Sequence, residues 1–381
     1  MKTVVIGGGI AGLTTAVALQ RAGHEVTVLE QADRFREIGS GLSLWPNALR
    51  ALQAIGLREQ VLRLSRTAQA SAIRDSTGRP LSRVDVQQVQ RRFGSVAMIH
   101  RADLLEVLRA AAGASTLRPG VRVQWARPDG TVGHRRGTIR ADLVVAADGI
   151  NSVVRASIWP RLARPRYLGY TAYRMLAAPT AIQGEGESWG RGERFGYAPL
   201  ADGRVYCFAV VNAPRGGTGQ TLAELRRRFG SWHDPIPALL QAVSADAVLH
   251  HDLYELAPLP SYVSGSLALV GDAAHAMAPN LGQGAGQAME DAVTLAAALS
   301  AASLPDALAA YDNERRPRTQ AIARRSRRIG AVGQWRSRAA VALRDRMVRA
   351  LPDGALMRSL APVVSWQAPT IGVGGDAAEI G

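Results

Sequence analysis

Three glycines near the start of the chain, Gly7, Gly9 and Gly12, constrain the fold more tightly than any other feature of the sequence. They follow the apolar run Val4-Val5-Ile6 and open a helical run from Leu13 to Ala22. Gly23-His24 then breaks the helix, and Val26-Thr27-Val28-Leu29 reads as a second strand ending at Glu30. The pattern predicts a compact βαβ unit. Each position has a chemical use. Gly7 permits a tight turn, Gly9 lets a pyrophosphate approach the backbone, and Gly12 lets helix and strand pack closely. The helix N-terminus attracts phosphate, while Glu30 suits ribose hydroxyls and repels a 2′-phosphate. A glycine-rich turn of an ordinary α/β protein is the alternative. The motif predicts a dinucleotide site and does not choose between FAD and NAD.

Further along, Gly39-Ser40-Gly41 leads into a segment of helical character, Ser43 to Leu57, and Arg101 to Ala112 is another helix. Leu143 to Ala147 is a continuous apolar run, as in buried parallel strands, and it ends at Asp148-Gly149. Leu267 to Val270 repeats this pattern and ends at Gly271-Asp272. Between them the character changes. Phe195 to Leu200 and Val205 to Val211 flank Ala201-Asp202-Gly203-Arg204 and read as a hairpin. Tyr206, Phe208 and Val210 share one of its faces; Val205, Cys207, Ala209 and Val211 share the other. From Gln287 onward the chain reads as mostly helical.

The 381 residues are enough for two or three domains. Cys207 is the single cysteine, which rules out an intramolecular disulfide and a cysteine-based structural metal site; no metal is expected. The longest apolar stretch, Ala292 to Leu304, is too short to span a bilayer, and a cytoplasmic protein is expected. The net charge is +15, yet Lys2 is the only lysine among 46 basic residues. Arginine bias of that kind points to genome composition, and nucleic acid is not expected as a partner. The segment Arg315 to Arg349 holds twelve arginines and one acid. It reads first as a solvated helix face. A surface for an acidic partner or membrane headgroups is the second reading, with Ile322, Ile329, Val332 and Trp335 as its apolar stripe.

Three strand-end sites converging on one sheet edge imply a long ligand. With Asp148-Gly149-Ile150-Asn151-Ser152 and Arg155, Gly271-Asp272-Ala273-Ala274-His275, Pro279, and Gly282-Gln283-Gly284, the sequence resembles the single-component FAD-dependent aromatic hydroxylases. These are the group A flavoprotein monooxygenases, with the p-hydroxybenzoate hydroxylase fold. Tyr311-x-x-Glu314-Arg315-Arg316-Pro317 matches the helix junction usual in that family. The resemblance implies an α/β chain, α+β overall. A Rossmann-like FAD-binding domain (1–70 with 98–165 and 265–330) would carry an inserted antiparallel substrate sheet (71–97 with 166–264). A C-terminal helical segment and tail (331–381) would follow.

It also implies roles. Gly7, Gly9, Ile10, Ala11 and Gly12 would surround the FAD pyrophosphate, and Glu30 the adenosine ribose. Arg101 would contact the phosphate or ribityl region. Asp148 would serve FAD and the nicotinamide donor, and Asp272 the ribityl chain. Pro279, Gly282 and Gly284 would line the flavin, with the next helix N-terminus aimed at the ring edge that becomes anionic on reduction. NAD(P)H would bind transiently, O2 would add to give a C4a-hydroperoxide, and one oxygen would pass to an aromatic or polyketide-like small molecule. Epoxidation of a lipophilic alkene is the enzymatic alternative, and a non-catalytic FAD-fold binding protein the alternative of another class.

Arg204, Tyr206 and Pro279 are the candidate catalytic residues, and Tyr173, Trp189, Tyr197 and Phe208 further pocket candidates. Arg204 followed by Tyr206 resembles FAD-dependent urate hydroxylases, but Asn280 stands where those enzymes carry an acid. His275 reads as a packing residue, and Arg155 equally as ligand contact or internal tie. A monomer or homodimer is expected.

Overall fold

The computed structural model describes residues 1–34, 40–68, 71–84, 86–217, 221–352 and 355–372. Gly39, from the glycine-rich entry, lies outside the described residues. Gly41 to Leu44 is a strand, and helix begins at Pro46, so the segment predicted as helical from Ser43 starts later. Pro46 sits in the first turn, where its missing N–H costs nothing.

The nucleotide lobe is built on a six-stranded sheet in the order Val263–Ser264, Leu267–Leu269, Leu143–Ala146, Lys2–Ile6, Glu25–Leu29, Leu117–Arg118. All its pairings are parallel except the first. Residues Leu143 to Ala146 are buried along their whole length, which is why they read as a continuous apolar run. Helices Ile10–Arg21, Arg101–Ala112 and Gly284–Ala301 pack together over the sheet. The last is buried almost all round, as its alanine-rich sequence permits. Three adjacent strands end at Ile6, Ala146 and Leu269. The glycine turn, Asp148 and Asp272 therefore emerge side by side along one carboxyl edge. Strand Val263–Ser264 belongs to this sheet, so the sheet begins just before the boundary drawn at 265.

The second lobe is a seven-stranded sheet in the order Leu249–Glu255, Arg166–Ala177, Val205–Asn212, Glu193–Pro199, Glu185–Trp189, Ser71–Asp75, Pro80–Val84. The alternation along these strands gives it two unlike faces. The outer face buries Tyr173, Met175, Phe195, Tyr197, Cys207 and Ala209 against Leu225, Phe229, Ile236 and Leu239 of two short helices. The inner face carries Tyr170, Ala172, Arg174, Arg194, Gly196, Tyr206, Phe208 and Val210, by register. A small sheet, Gly41–Leu44 with Ala97–His100 and Arg66–Thr67, lies between the lobes.

Helices Leu304–Gly333, Arg338–Arg349 and Ala355–Val364 complete the chain. They correct the expectation of a solvated arginine face for half of its arginines, while Arg324, Arg328, Arg336, Arg338 and Arg346 are exposed. Among the twelve arginines, Arg315, Arg316, Arg318, Arg327, Arg344 and Arg349 all pair with carboxylates. Two members of the expected membrane-facing stripe point inward: Ile322 is buried, and Ile329 packs against the same cluster as Leu360, Val363 and Val364. No helix among the described residues is long and apolar enough to cross a membrane.

Candidate active site

The glycine turn is shaped for a ligand that lies against its backbone. Gly7 has φ +107°, and a Cβ there would meet the Ala147 carbonyl oxygen at 2.4 Å. A Cβ on Gly12 would meet the Gly7 carbonyl oxygen at 1.9 Å, because helix and turn pack without a gap. Gly9 differs. A Cβ there would meet nothing within 4 Å, so its open side is free for a bulky group. Glu30 folds back on the turn. Gly8 N–H donates to its Oε2 at 2.7 Å, and Ala32 N–H to its Oε1 at 2.9 Å. A carboxylate offers about four acceptor positions, so both oxygens can still accept ribose hydroxyls.

Asp148 caps the following helix, accepting from Val153 N–H at 2.8 Å through Oδ2. Its Oδ1 is buried with no hydrogen-bond partner. Burial pushes its carboxyl above the usual range, against the pull of these local hydrogen bonds. Asp272 is ringed by protein, yet its side chain is open to solvent, which places it on the floor of a cleft. The surrounding protein raises its pKa, while His275, Arg101 and Arg155 act in the opposite direction. Arg101 opens its helix within electrostatic reach of Asp272.

Arg155 is an internal tie. It is fully buried and donates to the carbonyls of Ala273 (2.9 Å), Ala163 (2.8 Å) and Ile150, which fixes the Asp148 loop to the Asp272 loop.

Pro279 to Leu281 form a single 3₁₀ turn, and Gly282 follows at φ +60°. Pro279 and Gly282 are exposed along the cleft, and Gly284 starts the long buried helix with no acid in its first turn. Behind this loop lies a buried polar network. Gln283 Oε1 accepts from Asn47 Nδ2 at 2.9 Å, and Asn47 also donates to Glu290 at 2.7 Å. Arg315 binds Glu290 (2.5 Å) and Asp291 (2.8 Å). His275 Nε2 lies 2.5 Å from the other oxygen of Asp291. Burial acts to raise the Asp291 pKa, but His275 and Arg315 outweigh it and hold the group down at about 2. The network fixes the loop from the side away from the cleft.

On the inner face of the second sheet the candidates separate. Tyr206 is buried beneath Gly41, where a Cβ would meet its ring at 2.4 Å, and it clusters with Met98, Ala198 and Leu200. Phe208 lies across Gly196. Arg204 stands on the hairpin, 40% exposed, and pairs with Asp202 at 2.6 Å. Tyr173 and Tyr197 point to the outer face, and Trp189 lies under the Arg344 guanidinium. The arginine that does meet the cleft loop was not singled out in the sequence. Arg194 is 3% exposed and donates to Asn280 Oδ1 (2.7 Å), Gln334 Oε1 (2.9 Å) and Glu187 Oε1 (3.0 Å). The signal was the strand alternation, since Arg194 pairs in register with Val210 and shares the face of Tyr206 and Phe208.

The arrangement has the features a long flavin nucleotide needs: an open glycine cradle, an unpartnered carboxylate oxygen, an acid on a cleft floor and a helix N-terminus at the far end. Among the described residues, no group of His, Cys, Asp and Glu could hold a metal ion.

Known proteins share this sequence and fold. A family described as FAD binding domain matches residues 1–166 and 232–326. The aurachin C monooxygenase/isomerase of Stigmatella aurantiaca is 38% identical over 92% of this chain and 94% of its own. The 2-heptyl-3-hydroxy-4(1H)-quinolone synthase of Pseudomonas aeruginosa is 33% identical over 94% of this chain and 96% of its own. The crystal structure of Klebsiella pneumoniae HpxO complexed with FAD and uric acid superposes with a TM-score of 0.88 at 26% identity, covering 96% of each chain. The chain belongs to the group A FAD-dependent aromatic hydroxylases and is an NAD(P)H-dependent flavoprotein monooxygenase.

Proposed function

We propose that the substrate is a lipophilic fused heteroaromatic ring of the 4-quinolone type, hydroxylated on a ring carbon. The observation that carries this reading is the inner wall formed by Met98, Leu176, Ala198, Leu200, Tyr206 and Phe208. It is aromatic and aliphatic, which suits a bicyclic ring. The similarity to the quinolone synthase, whose product carries a 3-hydroxyl, supports it.

In this reading the work is divided among the segments. Segments 1–70, 98–165 and 263–330 hold FAD, segments 71–97 and 166–262 cover the substrate, and the described residues from 331 onward brace the two lobes. FAD, reduced by NAD(P)H, supplies the activation of O2 when bound. Gly7, Gly9, Ile10, Ala11 and Gly12 receive the pyrophosphate, Glu30 the ribose, and Arg101 and Asp272 the ribityl-phosphate region. Asp148 Oδ1 accepts a hydrogen bond from the cofactor. Pro279, Gly282 and Gly284 form the wall beside the flavin, and the dipole of helix Gly284–Ala301 favours negative charge there. Tyr206 and Phe208 exclude water and orient the ring.

The test is a panel of 2-heptyl-4(1H)-quinolone, 4-hydroxybenzoate and urate, scored by oxygen-dependent NAD(P)H oxidation and by gain of one oxygen in the product mass. Coupled hydroxylation of the quinolone is expected. Coupled hydroxylation of 4-hydroxybenzoate or urate, with only peroxide formed from the quinolone, would overturn the reading.

A further inference from the structure

On the inner face of the substrate sheet Arg166 and Arg194 are committed to the protein, Arg166 through an ion pair with Glu255, and Arg174 is not. Arg194 spends all three of its nitrogens on Asn280, Gln334 and Glu187. Arg174 has no carboxylate partner among the described residues. It makes a long polar contact, Nη1 to the Tyr206 hydroxyl at 3.5 Å.

Register places it within the site. Arg174 pairs with Phe208, and Phe208 pairs with Gly196, so these three form one row across three strands. On one side of that row lie Leu176, Tyr206 and Ala198, with Tyr206 against Gly41. On the other lie Ala172, Val210 and Arg194, with Arg194 against Asn280 of the cleft loop. Gly282 of that loop lies close to Trp45, whose Nε1 a Cβ there would meet at 3.2 Å. Arg174 thus lies in the middle row of the wall, half-buried beside the Phe208 ring.

A half-buried guanidinium with no anion of its own is costly unless a ligand supplies one. The titratable groups facing it are Tyr206 on the neighbouring strand and His251 on the edge strand. Burial lowers the His251 pKa, and Arg174 lowers it further. Burial raises the Tyr206 phenol, with Arg174 opposing. Neither group supplies a negative charge at neutral pH.

We infer that Arg174, with the Tyr206 hydroxyl beside it, receives the ring oxygen of the substrate and favours its anionic form. Proton loss from the hydroxyl or ring N–H leaves a delocalised anion, and the electron pair gained by the ring makes the carbon next to the oxygen nucleophilic. The proton leaves to solvent. The new carbon–oxygen bond then forms at that carbon with one atom of O2; the O–O bond breaks, the other atom leaves as water at the expense of NAD(P)H, and the C–H proton of that carbon passes to solvent, as the established monooxygenation requires. This assignment rests on the hydroxylase reading above and specifies which atom of the substrate is read.

The experiment uses the oxidised holoenzyme without NAD(P)H. 2-Heptyl-4(1H)-quinolone and its 4-O-methyl ether, which cannot form the anion, are titrated by calorimetry. Ionisation of the bound quinolone is followed by ultraviolet difference spectra against pH. In the wild type, ionisation of the bound ligand is expected about one to three units below that of the free ligand. Arg174→Gln is expected to abolish the shift and weaken quinolone binding roughly 10- to 100-fold. Arg174→Lys restores the shift, and the ether binds wild type and Arg174→Gln equally. Unchanged quinolone affinity and ionisation in Arg174→Gln would overturn the assignment, as would an ether that binds as tightly as the quinolone. If the panel shows a phenol to be the true substrate, the quinolone proposal falls, and the same comparison with that phenol and its methyl ether decides Arg174 separately. Should neither pair bind the wild type, both proposals fail.

Discussion

Arg194 and Asn280 join the two lobes at the cleft, with the guanidinium donating to the amide oxygen at 2.7 Å. The same guanidinium holds Glu187 and Gln334, so removing it strands three buried or half-buried acceptors. Arg194→Met is therefore expected to cost about 3 kcal/mol or more, read as a fall in thermal midpoint. Arg204 pairs with Asp202 at the surface, and Arg204→Met is expected to stay within about 0.5 kcal/mol of wild type. A silent Arg194→Met beside a damaging Arg204→Met would show that the roles of the two arginines are reversed.

Gly9 and Gly12 are expected to fail in opposite ways. Gly9→Ala adds a methyl to open space at a backbone of φ −81°, so the apoprotein should fold as well as wild type while FAD affinity falls. Gly12→Ala drives a methyl into the Gly7 carbonyl at 1.9 Å and should reduce folded protein before any cofactor is added. Circular dichroism of apoprotein and flavin fluorescence titration separate the two outcomes. Equal loss of fold in both variants would count against the cradle.

Asp272→Ala removes the acid from the cleft floor and is expected to lower FAD occupancy as purified. The thermal midpoint of the apoprotein should hold or rise, because the surrounding protein disfavours this carboxylate's charge. Full occupancy in the variant would mean that the ribityl contact is misassigned.

The parts legible in the sequence are those whose chemistry is local. A glycine turn between strand and helix announces itself within thirty residues, and Asp148 and Asp272 follow apolar runs that only a buried parallel strand explains. Helix Arg101–Ala112 was predicted to the residue for the same reason. The substrate wall was harder. The faces of Val205 to Val211 follow from alternation, but the partners of those faces depend on register with Arg166–Ala177, some thirty residues upstream. Arg174 and Arg194 come into view only once that register is known. The C-terminal arginines misled for a related reason. Composition counts charges without their partners, and Glu290, Asp291, Asp312, Glu255 and Asp75 reach Arg315, Arg316, Arg318, Arg327 and Arg349 only through the fold.

Glu185 gives the fold a pH dependence of defined sign. It stands at the start of strand Glu185–Trp189, on the inner face with Glu187. Burial pushes its carboxyl up to about 7 from an ordinary 4.5, and Arg66 offsets only part of this. Below pH 4.5 the group is protonated in both folded and unfolded chains and contributes no difference. As pH rises from there toward 7 the unfolded chain releases the proton while the folded chain keeps it, so stability falls across this window. Above 7 the folded protein carries the full penalty, up to roughly 3 kcal/mol. Glu185→Gln removes the charge and keeps the shape. Its thermal midpoint should match wild type at pH 4.5 and exceed it increasingly up to pH 8, where the gain levels off. A difference between variant and wild type that stays constant over that range would show that Glu185 ionises as freely in the folded protein as in the unfolded chain.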